Sequence, residues 1–162
     1  MAEHTITLVF LACDQRAVMS LLAEKDEYHP CEVRTVAGER DTPDLVEMQF
    51  DAVPGIDLEI ELAMEQRKIP YSKTWDESID EPAGANHVRF DDEGNETTVL
   101  HDFEEAKVDV RALLAARDEG RLETFVDELE RQSYPAAWAK QAEDCNKYRG
   151  RRAANSPADP EI

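Results

Sequence analysis

The sequence is short of basic residues, of glycine and of cysteine, and each shortage removes a class of function. It holds 18 Lys and Arg against 37 Asp and Glu, a net charge of −19 over 162 residues. Such a field repels nucleic acid and acidic membranes and speeds encounter with cationic partners. Six glycines, none of them clustered, leave no phosphate-cradling loop. The three cysteines, Cys13, Cys31 and Cys145, are widely spaced and form no CxxC pair. That usage fits free thiols in a reducing compartment and argues against a structural zinc or a disulfide framework. No stretch approaches the roughly 18 to 20 apolar residues of a membrane span. The opening MAEHTITLVF has an acidic residue and no basic cluster before its short apolar run, unlike a secretory leader. The expected location is therefore cytoplasmic, with no membrane and no direct nucleic-acid contact by the acidic part.

What is present is enough apolar material, 41% of residues, for one core. The charge is also unevenly placed. Residues 39–105 carry 20 acidic and 5 basic residues, whereas 1–38 carry 6 and 3 and 106–162 carry 11 and 10. The middle of the chain thus holds −15 of the −19. An acidic surface also favours solubility, and a salt-adapted protein shows the same balance.

Periodicity predicts the elements. TITLVFLAC, residues 5–13, reads as a buried strand, and Asp14 is placed to cap a helix carrying Ala17, Val18, Leu21 and Leu22. CEVRTVA and LVEMQF read as a hairpin. Residues 56–67 fit either period, and we read a helix because of the preceding Pro-Gly, the helix formers and the stop at Ile69-Pro70. On that helix Asp57, Glu61 and Glu65 would stack one turn apart on an exposed face. HVRF, the turn DDEGNE and TTVLHDF predict a second hairpin. Helices then run to Gly120 as a stop, through Leu122, Phe125, Val126 and Leu129, and from Pro135 through Trp138, Ala142 and Cys145. The predicted class is α+β, with a mostly antiparallel sheet and helices on one face, a ferredoxin-like split βαβ being the simplest version. The predicted division is an α+β domain at 1–102, a helical extension packed on it at 103–148, and a disordered tail at 149–162.

Chemistry-bearing patterns are weak. His4, His29, His87 and His101 form no HxxxH or HExxH, and no metal or cofactor is expected. DDEGNE lacks the spacing of an EF-hand loop and reads as an acidic hairpin tip. Cys13, just before a helix, is where a helix N-terminus would lower a thiol pKa, although packing is the commoner role for a small thiol there. The basic cluster Lys147, Arg149, Arg151 and Arg152 reads as a solvated helix end, with contact to nucleic acid or to the acidic middle as alternatives.

Trp75 is the residue most in need of a reason, because Asp76, Glu77, Asp80 and Glu81 surround it. Either Ile69, Tyr71 and Trp75 fold back as a lid that anchors a polar loop, or Trp75 is an interaction hot spot ringed by steering charge. The segment KIPYSKTWDESIDEPAGANHVRF, with its I-P-Y, its W followed by acids, its P-A-G and its R-F, resembles small uncharacterised acidic proteins encoded on bacteriophages and plasmids. The resemblance covers about residues 46–95. It implies an accessory gene of a mobile element in a bacterium and brings no catalytic residues.

The expected function is a non-enzymatic interaction module offering its acidic middle to a basic protein partner. The residues concerned are Asp57, Glu61, Glu65, Trp75, Asp76, Glu77, Asp80, Glu81, Asp91, Asp92 and Glu93. Its strongest form is a DNA mimic that blocks a host defence or nucleic-acid-binding protein. The alternative is a small enzyme or ligand-binding domain with a pocket between the sheet and the Trp75 loop, using His87, His101 and Cys31. A homodimer through the C-terminal helices is a third expectation.

Overall fold

A computed structural model describes residues 3–25, 29–102 and 108–155, except for the side chains of His101 and Asp102. The chain opens with β1 (Glu3–Leu11), a 3-10 turn (Ala12–Asp14) and α1 (Gln15–Glu24). There follow β2 (Glu32–Val36), β3 (Leu45–Pro54), α2 (Ile60–Gln66) and β4 (Tyr71–Trp75). All neighbours in this half are antiparallel, and the order β2-β3-β1-β4 is that of the split βαβ. A further hairpin, β5 (Gly84–Phe90) and β6 (Glu96–Asp102), extends the sheet at the β4 edge to six strands. The class is α+β.

Alternation explains which face is buried. Ile6, Leu8 and Phe10 of β1, Val46, Met48 and Phe50 of β3, and Tyr71 and Trp75 of β4 point to one side. There they meet Val18, Leu21 and Leu22 of α1 and Ile60 and Met64 of α2 in a single core. At roughly 25 cal/mol per Å² of apolar area, each of these buried side chains stabilises the fold by about 1.5–3 kcal/mol. β1 and β3 slip by one residue beside Thr5, where Ala52 adopts a φ of 56°. That is a β-bulge, beyond which the pairing resumes as His4 with Val53 and Glu3 with Pro54.

The C-terminal helices are α3 (Val110–Asp118), α4 (Leu122–Ser133) and α5 (Trp138–Asn155). Gly120, at φ 72°, stops α3: its N–H bonds to the Arg117 carbonyl while that of Arg121 reaches Ala116, a Schellman arrangement. α4 lies on β6 and α5 on β5. Two side chains secure this contact. The Arg89 guanidinium stacks 3.9 Å above the Trp138 ring. Gln141, 1% exposed, both donates to the Phe90 carbonyl at 2.7 Å and accepts from its N–H at 2.8 Å, acting as a short substitute strand.

Four expectations need correction. Residues 71–75 are a strand and not part of a loop, because Tyr71 and Trp75 occupy core positions opposite Phe10 and Ile6. The tail boundary at 149 falls inside α5, which continues to Asn155; residues 156–162 lie outside the described part. Asp14 does not cap α1. Its buried carboxylate instead pairs with Arg149 at 2.9 Å and ties α5 to the start of α1. The basic cluster is thus not a free helix end, since Arg151 also reaches Asp92 at 3.5 Å.

Candidate interaction surface

The eleven acidic and aromatic candidates fall into three separate places. Asp57, Glu61 and Glu65 lie at and before α2, over the core face. Trp75 ends β4, and Asp76, Glu77, Asp80 and Glu81 follow it in the β4–β5 connection. Asp91, Asp92 and Glu93 form the β5–β6 tip. The last two groups sit at opposite ends of β5, whose seven residues span roughly 20 Å.

The α2 group is not an exposed stack. Helix α2 begins only at Ile60, so Asp57 precedes it. Glu61 is 9% exposed and faces Lys73, itself 2% exposed on the core face of β4. Lys73 Nζ lies 2.7 Å from Glu61 Oε1 and 3.3 Å from Asp57 Oδ1, and donates to the Ile56 carbonyl at 2.7 Å. Glu61 also accepts the Leu58 N–H. The Tyr71 hydroxyl donates to Glu65 at 2.7 Å and lies 3.3 Å from Glu61. Burial, with both carboxylates beside it, pushes the Tyr71 hydroxyl far above its ordinary pKa. These groups close an internal network, and Glu61 is not available to an outside partner. The alternation that places Tyr71 and Trp75 inward also places Lys73 there, a signal legible only once 71–75 is read as a strand.

The β4–β5 connection answers why Trp75 is there. Its ring is buried, 8% exposed, and its Nε1 donates to the Pro82 carbonyl at 3.0 Å across the base of the loop. Inside the loop the Ser78 N–H bonds to the Glu81 carbonyl, and the Ser78 hydroxyl accepts from the N–H groups of Asp80 and Glu81. Asp76 continues the β1 pairing: its carboxylate accepts the Thr5 N–H at 2.8 Å, and its carbonyl lies 3.3 Å from His4 Nδ1. Trp75 is therefore an anchor and offers no surface. The side chain offered at the summit is Ile79, 101% exposed, with Glu77 and Asp80 exposed on either side. In sequence the tryptophan stands out among the acids, whereas the apolar side chain exposed in the structure is the isoleucine.

At the β5–β6 tip Asp91 serves the turn. It accepts the N–H groups of Glu93 and Asn95, and these hydrogen bonds hold its carboxyl below the usual pKa. Asp92 is engaged by Arg151. Gly94, at φ 82°, brings the tip against Tyr148 of α5. Among the described residues, no three His, Cys, Asp or Glu side chains form a metal-binding group.

The polar groups of the alternative reading do not converge. Cys31 donates to the Gln49 carbonyl at the far edge of the sheet, at the start of β2, whereas His87 contacts Ser72 Oγ at 2.7 Å on β4. The side chain of His101 lies outside the described part. Ser72 and His87 are direct cross-strand neighbours, and Ser72 also accepts from Arg89. A cavity of about 670 Å³ lies elsewhere, between β5–β6 and the α4–α5 corner, lined by Arg89, Val99, Asp127, Glu130 and Tyr134 among others and not by Trp75, Ser72 or His87. Arg89 there is pushed down to about 10 by burial, with carbonyls and a hydroxyl as its acceptors. Cys13 is not activated by the helix that follows. Burial and the adjacent Asp14 push its thiol up, which outweighs the opposing pull of Arg149.

No family model, no curated protein and no solved structure matches the chain.

Proposed function

We propose that the protein is a non-enzymatic interaction module that takes a basic protein partner through the braced loop 76–81. One observation carries this reading: a fully exposed isoleucine held at the summit of an acidic loop whose base is fixed by a buried tryptophan. An apolar tip is stabilised by burial in a partner's notch, and the carboxylates around it select a rim of Lys or Arg and steer its approach. The internal hydrogen bonds of Ser78 order the loop before binding, so less conformational entropy is lost on docking. In the mobile-element setting that the sequence resemblance implies, the partner is a host nucleic-acid-binding protein. A continuous phosphate-like array is not part of this proposal, because Glu61 is buried against Lys73 and the two acidic loops stand at opposite ends of the sheet.

The test compares wild type with Ile79→Asp and with a variant neutralised at Glu77, Asp80 and Glu81 (Gln, Asn and Gln), each immobilised in bacterial lysate at low and high salt. A basic protein retained by wild type at low salt, released at high salt and lost from both variants supports the proposal. Equal retention by wild type and variants, or no basic protein at either salt, overturns it.

A further inference from the structure

Arg89 is a buried cation without a counter-charge. The residue is 5% exposed, and its hydrogen bonds end on neutral oxygens: the Ala136, Tyr71 and Val88 carbonyls at 3.0, 2.9 and 3.2 Å and the Ser72 hydroxyl at 3.0 Å. It makes no ion pair among the described residues, and these bonds do not exhaust the donors of a guanidinium. Buried charges are ordinarily paired, because an unpaired one keeps the cost of leaving water. Arg89 lines the cavity of about 670 Å³ between β5–β6 and the α4–α5 corner, a volume within the roughly 300–1,000 Å³ of small-molecule sites.

The rest of the lining says what kind of molecule fits. Phe90 and Val99 of the sheet and Pro135 and Ala137 of the corner are apolar. On the α4 wall Asp127 and Glu130, one turn apart on one face, are exposed and make no ion pair among the described residues. The other two carboxylates are committed, Asp91 to its turn and Asp144 to Lys140 at 2.6 Å. Arg131 is the one further charge of the lining, exposed beside Glu130. A plain anion would meet four carboxylates against two guanidinium groups, and a plain cation would meet Arg89. A zwitterion meets an opposite charge at each end.

We propose that this cavity binds a free dipeptide with apolar side chains, its carboxylate on Arg89, its ammonium at Asp127 and Glu130, and its body along Phe90, Val99 and Pro135. The unlike charges stand on different walls, β5 and α4, so the ligand's own charges must be set apart. Those of a dipeptide are, whereas a single amino acid carries both on one carbon. The carboxylate supplies the counter-charge that Arg89 lacks, in surroundings where a charge-assisted hydrogen bond is strong. The site lies at the Phe90 end of β5, away from loop 76–81 at the other end, and is independent of the protein partner proposed there.

Calorimetric titration of the full chain with leucyl-phenylalanine, its N-acetyl form and its C-terminal amide tests the inference. The free dipeptide is expected to bind, and each cap to weaken binding roughly tenfold or more. Arg89 also holds α5 through Trp138, so its part is read from the amide cap and not from a substitution. Asp127→Asn with Glu130→Gln, both exposed, is expected to weaken the free dipeptide by a similar factor and to remove the difference between free and acetylated forms. Ala137→Trp, which fills the cavity from an exposed position, is expected to abolish binding with unchanged circular dichroism. No binding of the free dipeptide at millimolar concentration, a cap of either kind that leaves affinity unchanged, or full binding by Ala137→Trp overturns the inference.

Discussion

Lys73 Nζ lies 2.7 Å from Glu61 Oε1 on the buried side of the sheet, joining the centre of β4 to the first turn of α2. Both charges have left water at a cost that only their attraction and their remaining hydrogen bonds offset. Removing one partner therefore harms more than removing both. Lys73→Met is expected to destabilise the fold by about 3–5 kcal/mol, because Glu61 is left buried without a cation. Lys73→Met with Glu61→Gln is expected to recover most of the loss, since the glutamine still accepts the Leu58 N–H. Urea unfolding of the two single variants and the double gives the coupling directly, and additive effects would show that the pair does not act as a unit.

That pair also marks where the sequence is legible and where it is not. The order of strands and helices through β3, and the three C-terminal helices, follow from local periodicity, because β1, β3, α1 and α4 each repeat their apolar residues at one clear period; α2, which fits either period, is legible only from its helix formers and its flanking Pro-Gly and Ile69-Pro70. β4 does not repeat in this way. Its inward positions read Tyr71, Lys73, Trp75, and a lysine in the middle breaks the apolar alternation that would announce a strand. The partner that makes Lys73 tolerable is Glu61, contributed by another element. The same long-range dependence hid the buried state of Glu61, the Asp14–Arg149 pair and the inward turn of Trp75. Short-range patterns give element type. They do not give which of 37 carboxylates meets a cation.

The Tyr71 hydroxyl gives the protein an alkaline limit. Burial and the carboxylates of Glu65 and Glu61 raise its pKa in the native state, whereas an unfolded tyrosine ionises near pH 10. Below that pH both states keep the proton and this contribution is intact. Above it the unfolded chain releases a proton that the native one retains, so stability falls as pH rises past about 10. Urea midpoints between pH 8 and 11 should therefore decline more steeply for wild type than for Tyr71→Phe. Parallel profiles would remove Tyr71 as the cause.

Gln141 holds α5 to the sheet by pairing both backbone groups of Phe90. Gln141→Leu keeps much of the volume but leaves a buried N–H and a buried carbonyl without partners, a loss of about 2 kcal/mol or more. Because the contact is local to β5 and α5, amide exchange should accelerate at Phe90 and along α5 while β1 and β3 stay protected. Uniform acceleration would instead mean that α5 unfolds only with the whole domain.

Trp75 links the core to the loop proposed to bind. Trp75→Phe preserves most of the buried ring and deletes the Nε1 hydrogen bond to the Pro82 carbonyl, for about 1 kcal/mol of stability. The larger expected effect is local: with its base untied, the segment 76–83 should be cut faster by a protease selective for acidic residues, while the rest of the native chain resists. Partner retention should fall less than with Ile79→Asp, because the contact side chain is still present and only its ordering is lost. If Trp75→Phe and Ile79→Asp weaken retention equally while cleavage of 76–83 is unchanged, Trp75 is not an organiser of the loop, and its own ring must reach the partner.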